Sequence, residues 1–241
     1  SNLSQNISVI GQYAKEEEED TINSLVVSKD GKTGYILYNS PSENFLEVID
    51  FSDPQNPTKK TSSPPINLGE ETANINQVLS KDGHYLFIIQ SKLLIYNITD
   101  LISGPPVLLT SLALPIEYHF VPLRSQVILS PDGKTLFMKD GTTLNYFTTR
   151  IIDVSDVKNP KIQSDFHFPS SKLTASYFGR FFEVLSDSKT LYILRDTHLI
   201  VVDVSNNASP RYLGAIKILN NSNDPVGDFR LSRDGLKVYV S

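Results

Sequence analysis

Two short turn motifs alternate along the chain at a period near 50 residues, and that alternation constrains the fold more than any other feature. The first is Ser28-Lys-Asp-Gly31, Ser80-Lys-Asp-Gly83, Ser130-Pro-Asp-Gly133 and Ser232-Arg-Asp-Gly235, with a degenerate Ser186-Asp-Ser-Lys189. Successive serines stand 52, 50, 56 and 46 residues apart. The second is Asp50-Phe-Ser-Asp-Pro-Gln-Asn-Pro57, Asp153-Val-Ser-Asp-Val-Lys-Asn-Pro160 and Asp203-Val-Ser-Asn-Asn-Ala-Ser-Pro210, where Asp precedes Pro by 7 each time. A degraded copy, Asn97-Ile-Thr-Asp-Leu-Ile-Ser-Gly-Pro105, is one residue longer.

Each motif has a local cause. Ser-x-Asp-Gly separates two apolar runs: Asp bonds its own backbone, and Gly supplies the positive φ that closes a tight hairpin. In the second motif Asp and Ser hold backbone amides just past a strand end, and Pro sets φ for the next extended segment. The motifs divide each unit into four strands. In the fourth unit these are 181–185, 190–194, 198–204 and 211–218. The third of them, Leu199-Ile-Val-Val-Asp203, is an unbroken β-branched run, which predicts burial on both faces between stacked sheets. Short strands at this period fit a propeller better than a sandwich, and no long 3.6-residue apolar period predicts helix.

The expected fold is therefore all-β: a β-propeller of four complete four-stranded antiparallel blades plus a partial or composite fifth. The blades are placed at 24–68, 76–115, 126–169 and 181–219, with a partial blade at 228–241. The first strands, 25–28, 77–80, 127–130 and 182–185, should line the axis. Residues 7–14 resemble the fourth-strand segment Arg211-Tyr-Leu-Gly-Ala-Ile-Lys217 and read as the outer strand of an incomplete blade. The 241 residues suit one such domain or a fragment of a longer propeller.

The segment Leu199-Ile-Val-Val-Asp-Val-Ser205, with Pro210 and Leu213-Gly214 after it, resembles the LVIVD repeat of bacterial and archaeal surface-associated propellers. Leu46-Glu-Val-Ile-Asp-Phe-Ser52 and Arg150-Ile-Ile-Asp-Val-Ser155 match its core; Lys92-Leu-Leu-Ile-Tyr-Asn97 departs from it by Asn97 for Asp. The Ser-Pro-Asp-Gly-Lys turn is similar to the wider group of YVTN-type, lactonase-like propellers. The resemblance spans about residues 24–241 and implies a cell-surface, extracellular or periplasmic location. It is specific for architecture, since propellers host many functions.

Composition narrows the chemistry. A net charge of −5 gives no pull toward nucleic acid or an anionic membrane, and no apolar run is long enough for membrane insertion. The absence of cysteine rules out disulfides and thiolate chemistry. No G-x-S-x-G, Walker A or H-E-x-x-H pattern occurs, so no catalytic residue, metal ligand or cofactor site is assigned. His84, His167 and His198 read as ordinary strand and turn residues. The run Glu16-Glu-Glu-Glu-Asp20 reads as a solvated loop, because contiguous carboxylates seldom wrap a cation.

The candidate site lies elsewhere. In a propeller the loops joining one blade to the next gather around the channel, on the face opposite the turn motifs. Here they are residues 14–22, 69–75, 116–125, 170–180 and 220–227. They hold Glu70, Glu71, Tyr118, His119, Arg124, Tyr177 and Arg180, and the hairpin containing Arg195 should reach the same face. Tyr and Arg are the types that dominate recognition surfaces. Two functional classes stay open: a non-catalytic scaffold binding a protein or carbohydrate ligand, and a lactonase-like hydrolase built on His119, Arg124 and Arg180. Oligomeric state is open too.

Overall fold

The computed structural model describes residues 11–13, 20–41, 43–70, 75–115, 127–143, 146–167, 181–184, 187–195, 198–218, 229–232 and 237–240. All regular structure among them is β-strand; none is helix, so none can cross a membrane as one.

Five antiparallel sheets follow one another along the chain. The first contains β1 (Thr21–Val27), β2 (Thr33–Ser40) and β3 (Glu43–Asp50), with an outer strand broken into β4 (Thr58–Lys59) and β5 (Ile66–Glu70). The second is β6 (Asn76–Leu79), β7 (Tyr85–Ile89), β8 (Lys92–Asn97) and β9 (Val107–Ala113). The third is β10 (Val127–Leu129), β11 (Thr135–Thr143), β12 (Tyr146–Asp153) and β13 (Lys161–His167). The fourth is β14 (Phe181–Val184), β15 (Thr190–Arg195), β16 (His198–Asp203) and β17 (Arg211–Lys217), and the last is β18 (Phe229–Leu231) with β19 (Val238–Val240). In each sheet neighbours in space are neighbours in sequence, except that β5 pairs with β3 beside β4, and the first strands β1, β6, β10, β14 and β18 approach one another in turn. That is a β-propeller: four complete blades and the inner two strands of a fifth.

The repeat holds its register to the residue. The amides of Phe51, Ile98, Val154 and Val204 donate to the carbonyls of Lys32, His84, Lys134 and Lys189, at 2.7–2.9 Å. The bonds tie the two turns at one end of each blade together. At the degenerate turn they correct the sequence alignment by one residue. Asp187, not Ser188, is the turn carboxylate, for it accepts from the Lys189 amide at 2.9 Å as Asp30 accepts from Lys32 at 3.1 Å. Ser188 then takes the place of Gly31, Gly83 and Gly133, and it carries their positive φ (57° against 74–76°).

Side chains alternate between the blade before and the blade after. Leu46 and Val48 face forward and pack with Leu86, Ile88, Leu94 and Tyr96 of blade 2. Phe87, Ile89, Leu93 and Ile95 pack forward against Leu136, Met138, Ile152 and Val154 of blade 3, and Phe137 and Ile151 against Leu191, Ile200 and Val202 of blade 4. One expectation is only half met. Ile200 and Val202 are fully buried, but Val201 is only partly buried. It faces forward, toward the two-stranded fifth sheet, whereas its counterparts Val48, Ile95 and Ile151 face complete blades and are buried.

Blade 1 packs by a different division of volume. Blades 2, 3 and 4 place Leu86, Leu136 and Leu191 near Ile98, Val154 and Val204; blade 1 has Gly34 and Phe51 at those positions. A Cβ on Gly34 would run into the Phe51 ring. The aromatic fills the leucine's space. Gly34→Leu should therefore cost about 1–3 kcal/mol by overpacking, and Phe51→Val roughly 1–2 kcal/mol by leaving a gap. The double variant should recover at least about 1 kcal/mol of the summed loss in urea denaturation, since it restores the pairing of the other blades. Strict additivity would mean that the two residues do not share one volume.

Candidate functional site

The two ends of the blades differ in chemistry. At one end lie the repeated turns, and their Asp and Ser side chains are taken up mostly within the turn, while Ser188 and Asn207 bond the neighbouring blade instead. The Ser28, Ser80 and Ser130 hydroxyls donate to Asp30, Asp82 and Asp132 at 2.5–2.6 Å, while each serine oxygen accepts from the amide five residues on at 2.9 Å. The second turns repeat the scheme: Asp50, Asp153 and Asp203 accept from the Ser52, Ser155 and Ser205 amides at 2.8–2.9 Å. These bonds favour the charged form. The Ser28 hydroxyl and the Lys32 amide hold the Asp30 carboxyl below the usual range, and Ser80 with the His84 amide does the same for Asp82. Asp203, held by the Ser205 hydroxyl and amide and then by Arg211, falls to about 2.

The opposite end carries the β2–β3-type hairpins and the exits to the next blade. Of the residues expected to form the site, Glu70 ends β5 opposite Glu43, and Arg195 ends β15 opposite His198, both at this end. Glu71, Tyr118, His119, Arg124, Tyr177 and Arg180 lie outside the described residues, as does most of each joining segment.

What the structure does describe is the frame from which those segments depart. Arg150, buried in β12, donates from Nε and Nη2 to Asp165 Oδ1 and Oδ2 at 2.8 and 3.1 Å, and from Nη1 to the Pro115 carbonyl at 3.0 Å. Pro115 is the last described residue before the segment with Tyr118, His119 and Arg124. One blade earlier, Gln90 donates from Nε2 to the Leu68 carbonyl at 2.9 Å, just ahead of Gly69, Glu70 and Glu71. Asn44 reaches Gln90 Oε1 at 3.4 Å. Gln77 on β6 donates to the Tyr35 carbonyl at 2.8 Å, tying blade 2 back to blade 1. Of the histidines read as strand and turn residues, His84 lies 3.3 Å from Asp82, and His167 Nδ1 meets the Thr148 hydroxyl at 3.0 Å. Sequence reasoning passed over Arg150, although a charged residue inside an apolar strand repeat was a visible signal. Among the described residues no group of three or more His, Asp or Glu converges to hold a metal ion.

The comparisons agree with this architecture. Residues 190–217 match the LVIVD repeat, which is the third-strand run of blade 4 with its flanking strands. The structure is similar to a putative 6-phosphogluconolactonase from Bacteroides fragilis (TM-score 0.59, 15% identity, 86% of this chain and 58% of that one). It is similar to the periplasmic gluconolactonase PpgL of Pseudomonas aeruginosa (TM-score 0.60, 16% identity, 90% and 63%). It also resembles the Cps50 (Swd1) β-propeller domain of Myceliophteria thermophila (TM-score 0.56, 10% identity, 91% and 61%). No curated protein sequence matches the chain. The chain spans about three fifths of these structures, and at such identities they establish the fold: this is a β-propeller containing an LVIVD repeat.

Arg150→Ala should lower stability by about 3 kcal/mol in chemical denaturation, because the Pro115 carbonyl and Asp165 lose their donor. Lys189→Asp, on an exposed turn, should change stability by no more than about 0.5 kcal/mol. At the turn end the depressed carboxylates set an acid limit. A folded pKa below the unfolded value, about 3.9 for Asp, stabilises fully above that value and is lost as pH falls through the folded one. Urea midpoints should therefore drop steeply between about pH 4 and pH 2. Asp203→Asn should flatten that drop; an unchanged acid profile would refute the assignment.

Proposed function

We propose that this propeller is a binding module, and that it recognises a protein or carbohydrate ligand through the end bearing the blade-joining segments. The observation that carries the reading is the saturation of the opposite end. There the Asp and Ser side chains are spent on their own turns in nearly the same pattern blade after blade, leaving little to distinguish one partner from another. The joining end draws on residues that differ between blades: Glu70, Glu71, Tyr118, His119, Arg124, Tyr177, Arg180 and Arg195. Tyr and Arg supply large contact area and directed hydrogen bonds. The LVIVD repeat and the likeness to a periplasmic enzyme support an extracellular, surface or periplasmic setting.

A second reading is supported by a specific observation, the similarity to gluconolactonase structures. In it the same end hydrolyses a sugar lactone, with His119 activating water and Arg124 and Arg180 steadying the developing oxyanion. The likeness is one of fold, and it supports the lactone reading at least as well as the binding one.

One set of proteins separates the two. The wild-type chain, His119→Ala and Tyr177→Ala/Arg180→Ala, with a turn-end control Lys134→Ala/Lys158→Ala, would be assayed for acid release from glucono-δ-lactone and 6-phosphogluconolactone. They would also be screened on glycan and protein arrays. Binding lost in the Tyr177/Arg180 variant and kept in the control is the expected result. Turnover abolished by His119→Ala favours the hydrolase. Binding lost only in the control would overturn the choice of face for both readings.

A further inference from the structure

We propose that the outer edge of blade 2 is a self-association surface: two copies of this chain pair through β9, edge to edge and antiparallel, about a two-fold axis at Thr110. The surface lies on the circumference of the propeller and leaves both blade ends free.

Among the described residues β9, β13 and β17 each end their sheet, with no strand on the outer side. Such an edge is normally protected by charge, by proline or by interruption. Three blades here are protected in that way. In blade 1 the outer strand is cut into β4 and β5, with Pro64 and Pro65 between them. β13 carries Lys161, Asp165 and His167, and β17 carries Arg211 and Lys217. β9 reads Val-Leu-Leu-Thr-Ser-Leu-Ala and has no charge. From Leu101 to Ile116 no side chain is acidic or basic, the longest such run in the sequence.

The repeat locates the difference position by position. β13 and β17 begin with Lys161 and Arg211, opposite Asp153 and Asp203, and Arg211 bonds Asp203 at 2.9 Å. β9 begins with Val107 opposite Asn97, so both facing charges are replaced together. Where β13 has Asp165, β9 has Ser111; where β13 and β17 end in His167 and Lys217, β9 ends in Ala113. Five residues past the repeat Asp or Asn, at the exposed tip of the second turn, stand Gln55, Lys158 and Ala208, but Ile102 in blade 2. Ile102, Val107 and Leu108 are 90%, 60% and 48% exposed. An apolar corner thus runs into an uncharged open edge.

The order of residues along β9 selects the occupant. Paired with itself about Thr110, the strand sets Leu108 against Leu112, Leu109 against Ser111 and Val107 against Ala113. None of these pairs opposes like charges, and a Thr–Thr contact falls on the axis, where it is favourable. The same arrangement of β17 would set Arg211 against Lys217, and directly opposed like charges repel. Each copy carries a net charge of −5, so two copies resist approach in general, and a run without carboxylates is where that resistance is least. An extended peptide from another protein would cover β9 but leave its own far edge open. A second copy uses each edge once and closes at two, as isologous contacts do.

The chain has no cysteine, so one introduced thiol reports the geometry. In Thr110→Cys the two thiols meet across the axis. Under mild oxidation they should form an intermolecular disulfide at least about ten times faster than in Ile102→Cys, which lies far from the axis. Sedimentation velocity of the unaltered chain should give a discrete dimer. Asn97→Asp/Ile102→Lys/Val107→Arg copies the corner of blades 3 and 4; it should be monomeric with an unchanged far-ultraviolet circular dichroism spectrum. Leu213→Lys/Ile216→Lys, on the edge of β17, should stay dimeric. A monomer at every concentration, open-ended oligomers, a dimer indifferent to the blade 2 changes, a dimer lost with the β17 changes, or equal disulfide rates at positions 110 and 102 would each overturn the proposal.

Discussion

Every sheet in this molecule depends on having both faces covered. A four-stranded antiparallel sheet has no interior of its own: backbone pairing fixes its strands side by side, but the apolar side chains of its third strand are covered only by the blades before and after it. Burial follows this dependence residue by residue. Val48, Ile95 and Ile151 occupy one repeat position and are buried with a complete blade ahead of each; Val201, at the same position with a two-stranded sheet ahead, is only partly buried. The chemistry of the strand is constant and the neighbour is what varies.

The turns convert that stacking into a fixed register. The Asp and Ser side chains satisfy backbone amides within each turn, and between blades 3 and 4 the turns also bond one another, the Asp132 amide donating to Ser188 Oγ at 3.1 Å. The bond from Phe51, Ile98, Val154 or Val204 to the first turn then locks the third strand against the second at one phase. A slip of one residue would exchange forward-facing and backward-facing side chains and ruin both interfaces. Local turn chemistry therefore does long-range work. It decides which side chains meet the blade on either side.

That division explains what could be read from the sequence. The turns, the four strands per unit and the propeller class were legible because Asp, Gly and Pro impose local geometry that leaves a literal pattern. The degenerate turn misled by one residue because Ser186 imitates the motif serine; the bonds from Lys189 to Asp187 and from Val204 to Lys189, with the positive φ of Ser188, show the true phase. The split outer strand of blade 1 was not foreseen, since the chain around Pro64 and Pro65 leaves the sheet between Lys59 and Ile66 without any turn motif to announce it. For the candidate site, sequence could name loops and residue types but not the frame beneath them. Arg150, Gln90 and Asn44 act across blades, and contacts between segments 22 to 46 residues apart leave no local signature.

The buried charges show how nearly equivalent blades are kept distinct. The second position of the LVIVD-like run is Ile200 in blade 4 and Leu94 in blade 2, but Glu47 in blade 1 and Arg150 in blade 3. An apolar residue there accepts any apolar neighbour. Arg150 does not: buried, it needs a carboxylate and a carbonyl at set distances, and Asp165 with Pro115 provides them. Glu47 likewise needs the Tyr13 hydroxyl, with Lys59 at 3.7 Å on its other oxygen. Burying either ion costs more than burying isoleucine, and leaving it unpaired costs several kcal/mol more. An arrangement that set blade 3 against any surface other than the end of β9 would strand the guanidinium. The charges thus contribute discrimination among packings rather than net stability, and they do so at Pro115, where the chain leaves the scaffold for the face on which recognition is proposed.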